Sequence, residues 1–238
     1  MAPCCHQKQS KHLLFLDFTA SHNLGITYRD SLNFTPLPAT CSQYLATGLA
    51  RTDLLVDMSF YLFYEAADTL LRIQNCALNL PYLLVHTIPG FFSRDSHLKR
   101  FDDLFADQPV DRSRLLLTIP EQKVLEANKG EAEVIARYLR NGVTLLLDGY
   151  HPESLSPAQL KEWGFSHVRL SPEVAASEAY ASDVRALQDR GITVFASCVD
   201  QPPAWLAEAG VYAVCSPLNG PMIEEEELIR ESLLRERE

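Results

Sequence analysis

Short runs of wholly apolar residues alternate along this chain with longer stretches in which apolar residues recur every three or four positions. The first kind reads as strands buried on both faces, the second as amphipathic helices. Leu13 to Phe18 and Ile26 to Phe34 are predicted as two strands. The short turn Asn23-Leu24-Gly25 joins them, so they are antiparallel. Helices are predicted over Cys41 to Ala50 and Val56 to Ile73, followed by a strand over Tyr82 to Ile88 that Pro89-Gly90 closes. Further strands are predicted over Arg114 to Ile119, Val143 to Leu147, His167 to Leu170, Ile192 to Ala196 and Val211 to Cys215. Between and after them the period predicts helices over Glu121 to Asn141, Pro157 to Trp163, Pro172 to Arg190, Pro203 to Ala209 and Met222 to Glu238. Gly142, Gly164 and Gly191 supply the stop signals.

This alternation implies a parallel sheet with helices packed outside it. The chain has no G-x-G-x-x-G turn, which removes the main positive sign of an open dinucleotide-binding sheet. The expectation is an α/β fold, a (β/α)8 TIM-like barrel with an antiparallel first strand. Residues 1–11 (MAPCCHQKQSK) lack periodicity and read as a flexible tail, leaving residues 12–238 for one barrel domain. A chain of 238 residues, 47% hydrophobic, is long enough for a core of that kind.

Charge and cysteine usage narrow the partners. A formal charge of -10 disfavours nucleic acid, whose nonspecific binding depends on clustered Lys and Arg. The acid is concentrated at the end, where Ile223 to Glu238 carries seven Glu against three Arg and reads as a solvated helix. No apolar run reaches the roughly 18 residues of a membrane span, so no membrane insertion is expected. The six cysteines follow no regular spacing, which points to reduced thiols and a cytoplasmic location. Cys4-Cys5-His6 with His12 matches no zinc spacing.

In a (β/α) barrel the chemistry sits at the C-terminal ends of the strands. Those positions hold Asp30, His86, Thr118, Asp148, Arg169 with Ser171, Ser197-Cys198 with Asp200, and Cys215. The segments that contain them are Tyr28 to Phe34 (YRDSLNF), Tyr82 to Phe92 (YLLVHTIPGFF), Leu115 to Glu121 (LLLTIPE) and Val143 to Tyr150 (VTLLLDGY). His167 to Ser171 (HVRLS), Val194 to Gln201 (VFASCVDQ) and Val214 to Pro221 (VCSPLNGP) complete the set. In order and spacing the series resembles the signature segments of EAL domains, the bacterial cyclic di-GMP phosphodiesterases. The resemblance implies a barrel of EAL type and a reaction in which two divalent cations, held by carboxylates and an Asn, activate water against a phosphodiester.

Residue by residue, the resemblance places Asp30 at the Glu of the E-A-L signature and His86 at the metal-binding Asn. Thr118 stands at the metal-binding Glu of L-E-I-T-E, and Glu121 at its second Glu. Asp148 keeps the first Asp of the D-D pair while Gly149 replaces the second. Arg169 stands for the Lys, Ser171 for the Asp after it, Ser197 for the Glu of A-E-G, and Asp200 for the Glu of V-E-T. Only Asp148 matches a ligand position identically, and Mg²⁺ needs several oxygen ligands. The expectation is therefore no catalytic residues and no metal or other cofactor, with Mg or Mn required only if a weak phosphodiesterase survives. Without functional weight, Asp148 reads as a turn cap, Glu121 as a carboxylate at a helix N-terminus, His151 as a solvent-facing loop residue and Cys198 as a small core residue.

The leading expectation is a noncatalytic regulatory module acting through protein contacts, its protein partner unidentified and a homodimer left open. Second comes a cyclic di-GMP receptor that binds without hydrolysis, using Arg169, Tyr150 and Arg29. Set against Asp30, Asp148 and Asp200, the two arginines predict that cyclic di-GMP binds weakly or not at all. A weak phosphodiesterase and an unrelated barrel enzyme rank below these.

Overall fold

The computed structural model describes residues 12–17, 24–29, 54–75, 82–87, 91–106, 110–199 and 201–215. The tail at 1–11, the helices predicted at 41–50 and 222–238, and the candidates Asp30 and Asp200 lie outside these residues.

Eight strands form one sheet in sequence order: β1 His12–Asp17, β2 Leu24–Arg29, β3 Tyr82–His86, β4 Leu115–Pro120, β5 Thr144–Tyr150, β6 His167–Leu170, β7 Thr193–Ser197 and β8 Ala213–Cys215. Strands β3 to β8 are parallel throughout. Ahead of them β2 pairs with β3 in parallel, and β1 pairs with β2 in the opposite sense. The sheet curls far enough for β1 to touch β8.

Helices lie on the outer face: α1 Leu54–Asn75, α2 Asp95–Phe105, α3 Glu121–Leu125, α4 Lys129–Arg140, α5 Pro157–Trp163, α6 Pro172–Ala175, α7 Ala181–Gln188 and α8 Ala204–Glu208. Strand residues of one parity, including Leu83, Val85, Leu117, Leu147, Val168 and Val194, pack with Phe60, Phe63, Phe101, Ile135, Leu160 and Leu187 of the helices. The other parity, Leu84, Leu116, Leu146, Phe195 and Ala213, forms a separate inner cluster with Tyr82 and Tyr212. Burial on both faces is why these strands read as unbroken apolar runs rather than as alternating ones. None of the described helices is long and apolar enough to cross a membrane.

Three helices depart from the expected pattern. The stretch predicted as one helix from Glu121 to Asn141 is two, because Asn128 starts α4 with a capping box: its side chain accepts the Gly130 and Glu131 N–H groups while Glu131 accepts the Asn128 N–H. The first helix ends at Leu125, and that reciprocal cap starts a second one at Lys129. Pro172 to Arg190 is likewise broken, into α6, a 3-10 turn over Glu178–Tyr180, and α7. Finally, α2 was not predicted by the pattern. It buries His97, Leu98, Phe101 and Phe105 on one face, against a ring cluster that includes Phe60, Phe63 and Phe91.

Candidate functional site

Thr118, Asp148, Arg169 and Ser197 each lie two residues beyond Leu116, Leu146, His167 and Phe195, so strand alternation puts them on the same inward face. Strand register aligns them across the barrel: His86 with Thr118, Asp148 with Arg169, and Ser197 with Cys215. Sequence positions as far apart as 86 and 197 are therefore gathered at the C-terminal ends of neighbouring strands. For His86 the strand position is described and the side chain is not.

Within this mouth the main contact is an ion pair. Arg169 Nε donates to Asp148 Oδ1 at 2.7 Å and Arg169 Nη2 to Asp148 Oδ2 at 2.6 Å, a bidentate fork in which both carboxylate oxygens are engaged. The arginine side chain is 8% exposed and the aspartate 27%. The reading of Asp148 as a turn cap is thus corrected: its oxygens face a guanidinium on the next strand, not the backbone of its own turn. Thr118 is buried, and its hydroxyl accepts the Thr87 N–H at 3.2 Å while its carbonyl accepts the Thr87 hydroxyl at 2.5 Å. Gly149 has φ +75°, left-handed backbone at a break in the β5–β6 register. An L-aspartate there would carry backbone strain of about 1 kcal/mol. Among the described residues no group of three or more His, Cys, Asp or Glu is placed to hold a metal ion.

A second polar cluster lies beside the mouth. Glu121 is buried at the start of α3 and accepts the His151 N–H at 3.1 Å. Burial raises its pKa above the usual carboxylate value, an effect that the His151 N–H and the Ser154 hydroxyl oppose. Glu121 is therefore a tether between the loops after β4 and β5, which its place at a helix N-terminus does not explain. His151 is half-buried rather than solvent-facing: Tyr180 stands edge-on to its ring at 5.4 Å, with the phenol oxygen 3.4 Å from Nε2. Tyr150 is wholly buried, and its hydroxyl donates to the Leu155 carbonyl at 2.7 Å, so the phenol is committed to the loop after β5. Ser171 caps α6 by accepting the Val174 N–H.

Beyond β6 and β7 a cavity of about 440 Å³ opens between α6 and the loop after β7. Pro172, Ala176, Val199 and Pro203 give it apolar walls, with Glu173, Gln201 and the buried Cys198 supplying polar atoms. Of the lining, Cys198, Val199 and Gln201 lie in the segments singled out from sequence and the rest do not, since an apolar wall shared by two loops leaves no local motif.

No model of a known protein family matches the sequence, and no curated protein matches it. Solved structures do match. The phosphodiesterase PaMucR, in its c-di-GMP complex, has a TM-score of 0.70 at 14% identity, over 92% of this chain and 93% of its own. The EAL domain of Mycobacterium smegmatis DcpA gives 0.67 at 16% identity over 98% of both chains.

The fold is that of an EAL domain. The Xanthomonas citri FimX EAL domain in complex with c-diGMP is similar as well, with a TM-score of 0.68 and 18% identity over 90% of this chain and 87% of that one. The chain spans 64% of the length of the EAL enzyme Bd1971. On the EAL fold, the mouth of this chain holds Thr118, Asp148, Arg169 and Ser197.

Proposed function

We propose that the chain is an eight-stranded barrel of EAL type, antiparallel in its first strand, that acts through contacts with another protein and does not hydrolyse cyclic di-GMP. The observation that carries this reading is the Asp148–Arg169 pair. A carboxylate that would hold a divalent cation already has a cation on both oxygens, and the arginine cannot lose its charge at any pH the fold would survive. Among the described residues, the neighbouring positions do not make up the loss. Thr118 and Ser197 are neutral hydroxyls and Gly149 has no side chain, whereas a two-metal clamp needs several hard oxygen ligands. The residues described do not fit the family's metals, and no step of its reaction is derived through them.

The test is hydrolysis of cyclic di-GMP by the purified chain in Mg²⁺ or Mn²⁺. The expected result is product formation no faster than in buffer. Metal-dependent turnover that disappears in Asp148→Asn would overturn the reading.

A second reading is a cyclic di-GMP receptor. It is favoured by the c-di-GMP complexes of two structures of the same fold, PaMucR and FimX. Against it stands the commitment of Arg169 to Asp148, which leaves that guanidinium compensated and not free for a phosphate. Equilibrium dialysis with the nucleotide separates the readings. Micromolar binding lost in Arg169→Ala would promote the receptor to first place.

A further inference from the structure

Two anchored pieces of backbone border the cavity of about 440 Å³ beyond β6 and β7. On one side α6 begins at Pro172. Ser171 holds its first turn, its hydroxyl accepting the Val174 N–H at 3.3 Å and its carbonyl the Ala175 N–H at 2.9 Å. Val174 and Ala175 are wholly buried and fasten this turn to the barrel. On the other side the Pro203 carbonyl accepts the Leu206 N–H at 3.2 Å, while Trp205 and Leu206 root α8 in the core. Each wall also carries a proline with its φ fixed by the ring. The apolar surface between the walls is therefore held in shape, and a partner that covers it loses little free energy in ordering it.

Exposure and charge say what such a partner presents. Cys198 is buried, but Glu173, Ala176 and Gln201 are exposed. Val199 is 68% exposed, the most of any large hydrophobic residue among those described. A small-molecule site encloses most of its ligand, whereas a trough with so open a lining suits a side chain offered from a larger surface. Among the described residues the lining contains no Lys, Arg or His, and its one charged group is Glu173. The Glu173 pKa is lowered by its own backbone N–H and the Ser171 hydroxyl, with His151 adding least, so the carboxylate is fully ionised at neutral pH. An apolar trough with an anion on its rim complements an apolar side chain with a cation beside it.

We propose that this cavity docks a segment of a partner protein in which an apolar side chain neighbours a lysine or arginine. The apolar side chain enters between Pro172, Ala176 and Pro203 and covers Val199, and the cation meets Glu173. Docking of this kind presupposes that the chain works through protein contacts, as proposed above, and gives that contact a place and a chemistry. A second copy of this chain is a poorer occupant, because two molecules of formal charge -10 repel each other.

The test is selection of a displayed library of random peptides on the purified full chain, followed by NMR titration of the enriched peptides into the ¹⁵N-labelled protein. Enriched peptides should pair Lys or Arg with a neighbouring Leu, Ile, Phe or Trp, and should shift the Ala176 and Val199 amide resonances. Ala176→Trp, which fills the cavity, should weaken them about tenfold or more. Glu173→Gln should weaken them about two- to fivefold, the scale of an exposed ion pair. Selection repeated on Glu173→Arg should turn the preference from Lys and Arg to Asp and Glu. Both positions are exposed, so the variants should unfold in urea close to the wild type. No enrichment, enrichment without a cation, or binding undiminished in Ala176→Trp would overturn the docking site and leave the hydrolysis result untouched. Turnover of cyclic di-GMP would overturn the noncatalytic reading and leave the peptide result standing. A wild-type dimer in light scattering that Ala176→Trp separates would assign the cavity to a second copy and equally overturn the proposal.

Discussion

The two ends of the barrel interior treat charge in opposite ways. At the mouth, a full positive and a full negative charge meet as Arg169 and Asp148, and each is compensated by the other. At the floor, His167 is buried against Tyr82 at 5.1 Å and Phe195 at 6.3 Å, with Tyr212 next to both Tyr82 and Phe195. Its Nδ1 meets the Ser166 hydroxyl at 2.8 Å, while Nε2 is buried and finds no hydrogen-bond partner among the described residues. Burial, with Lys161 adding to it, lowers the His167 pKa to about 4, so the ring stays neutral. A charge inside this barrel is tolerated where a counter-charge meets it, and elsewhere the ionisable group gives up its charge.

Breaking the mouth pair should have the largest effect, and the effect should be asymmetric. Asp148→Leu leaves the nearly buried guanidinium uncompensated and should cost about 3 kcal/mol or more in urea unfolding. Arg169→Met leaves a carboxylate that water still reaches and should cost about half as much. The double variant Asp148→Leu/Arg169→Met should return to within about 1 kcal/mol of wild type, because two apolar side chains can replace an ion pair. Simple addition of the two single losses would mean the groups do not act as a pair.

The floor should reveal itself through pH. A histidine whose folded pKa is depressed contributes stability that is fully present above its unfolded value and is lost as pH falls. The window here runs from the ordinary 6.5 down to about 4. The unfolded chain binds the proton first, so the loss across that window is about 3 kcal/mol. Unfolding curves of His167→Phe should be flatter by that amount between pH 7 and pH 4. Parallel curves would show that His167 does not stay neutral in the folded state.

Smaller effects sharpen the same contrast. Tyr82 touches the rings of His167, Phe195 and Tyr212, so Tyr82→Leu should lose about 2 kcal/mol of thermal or urea stability. Tyr82→Phe keeps those edge contacts and should change stability by less than about 0.5 kcal/mol, measured in the same way. A large loss in the phenylalanine variant would show that the hydroxyl, not the ring, holds the floor together.

The strands of this fold are legible in the sequence because both faces are apolar: Leu115 to Leu117 and Leu145 to Leu147 could hardly be anything else. Helix boundaries are less so. Asn128 and Glu131 form a capping box that is visible as letters, yet the apolar period carries across it from Val124 to Val134 and hides the break. The site divides in the same way. That Thr118, Asp148, Arg169 and Ser197 sit at strand ends follows from counting along strands. That Asp148 grips Arg169, 21 residues on, depends on the register of β5 against β6, which no local pattern encodes. The same holds for Glu121 and His151, 30 residues apart: a glutamate opening a helix looks self-explanatory until the neighbouring loop is placed beside it.

The central claim is that Arg169 occupies the electrostatic place at Asp148 that a divalent cation would otherwise take. Isothermal titration of the wild-type chain with Mn²⁺ at neutral pH, repeated with Asp148→Asn, tests it most directly. The account predicts no binding tighter than about millimolar in either protein, since a carboxylate already forked by a guanidinium offers the ion no free oxygen pair. Micromolar Mn²⁺ binding in the wild type that Asp148→Asn abolishes would contradict it.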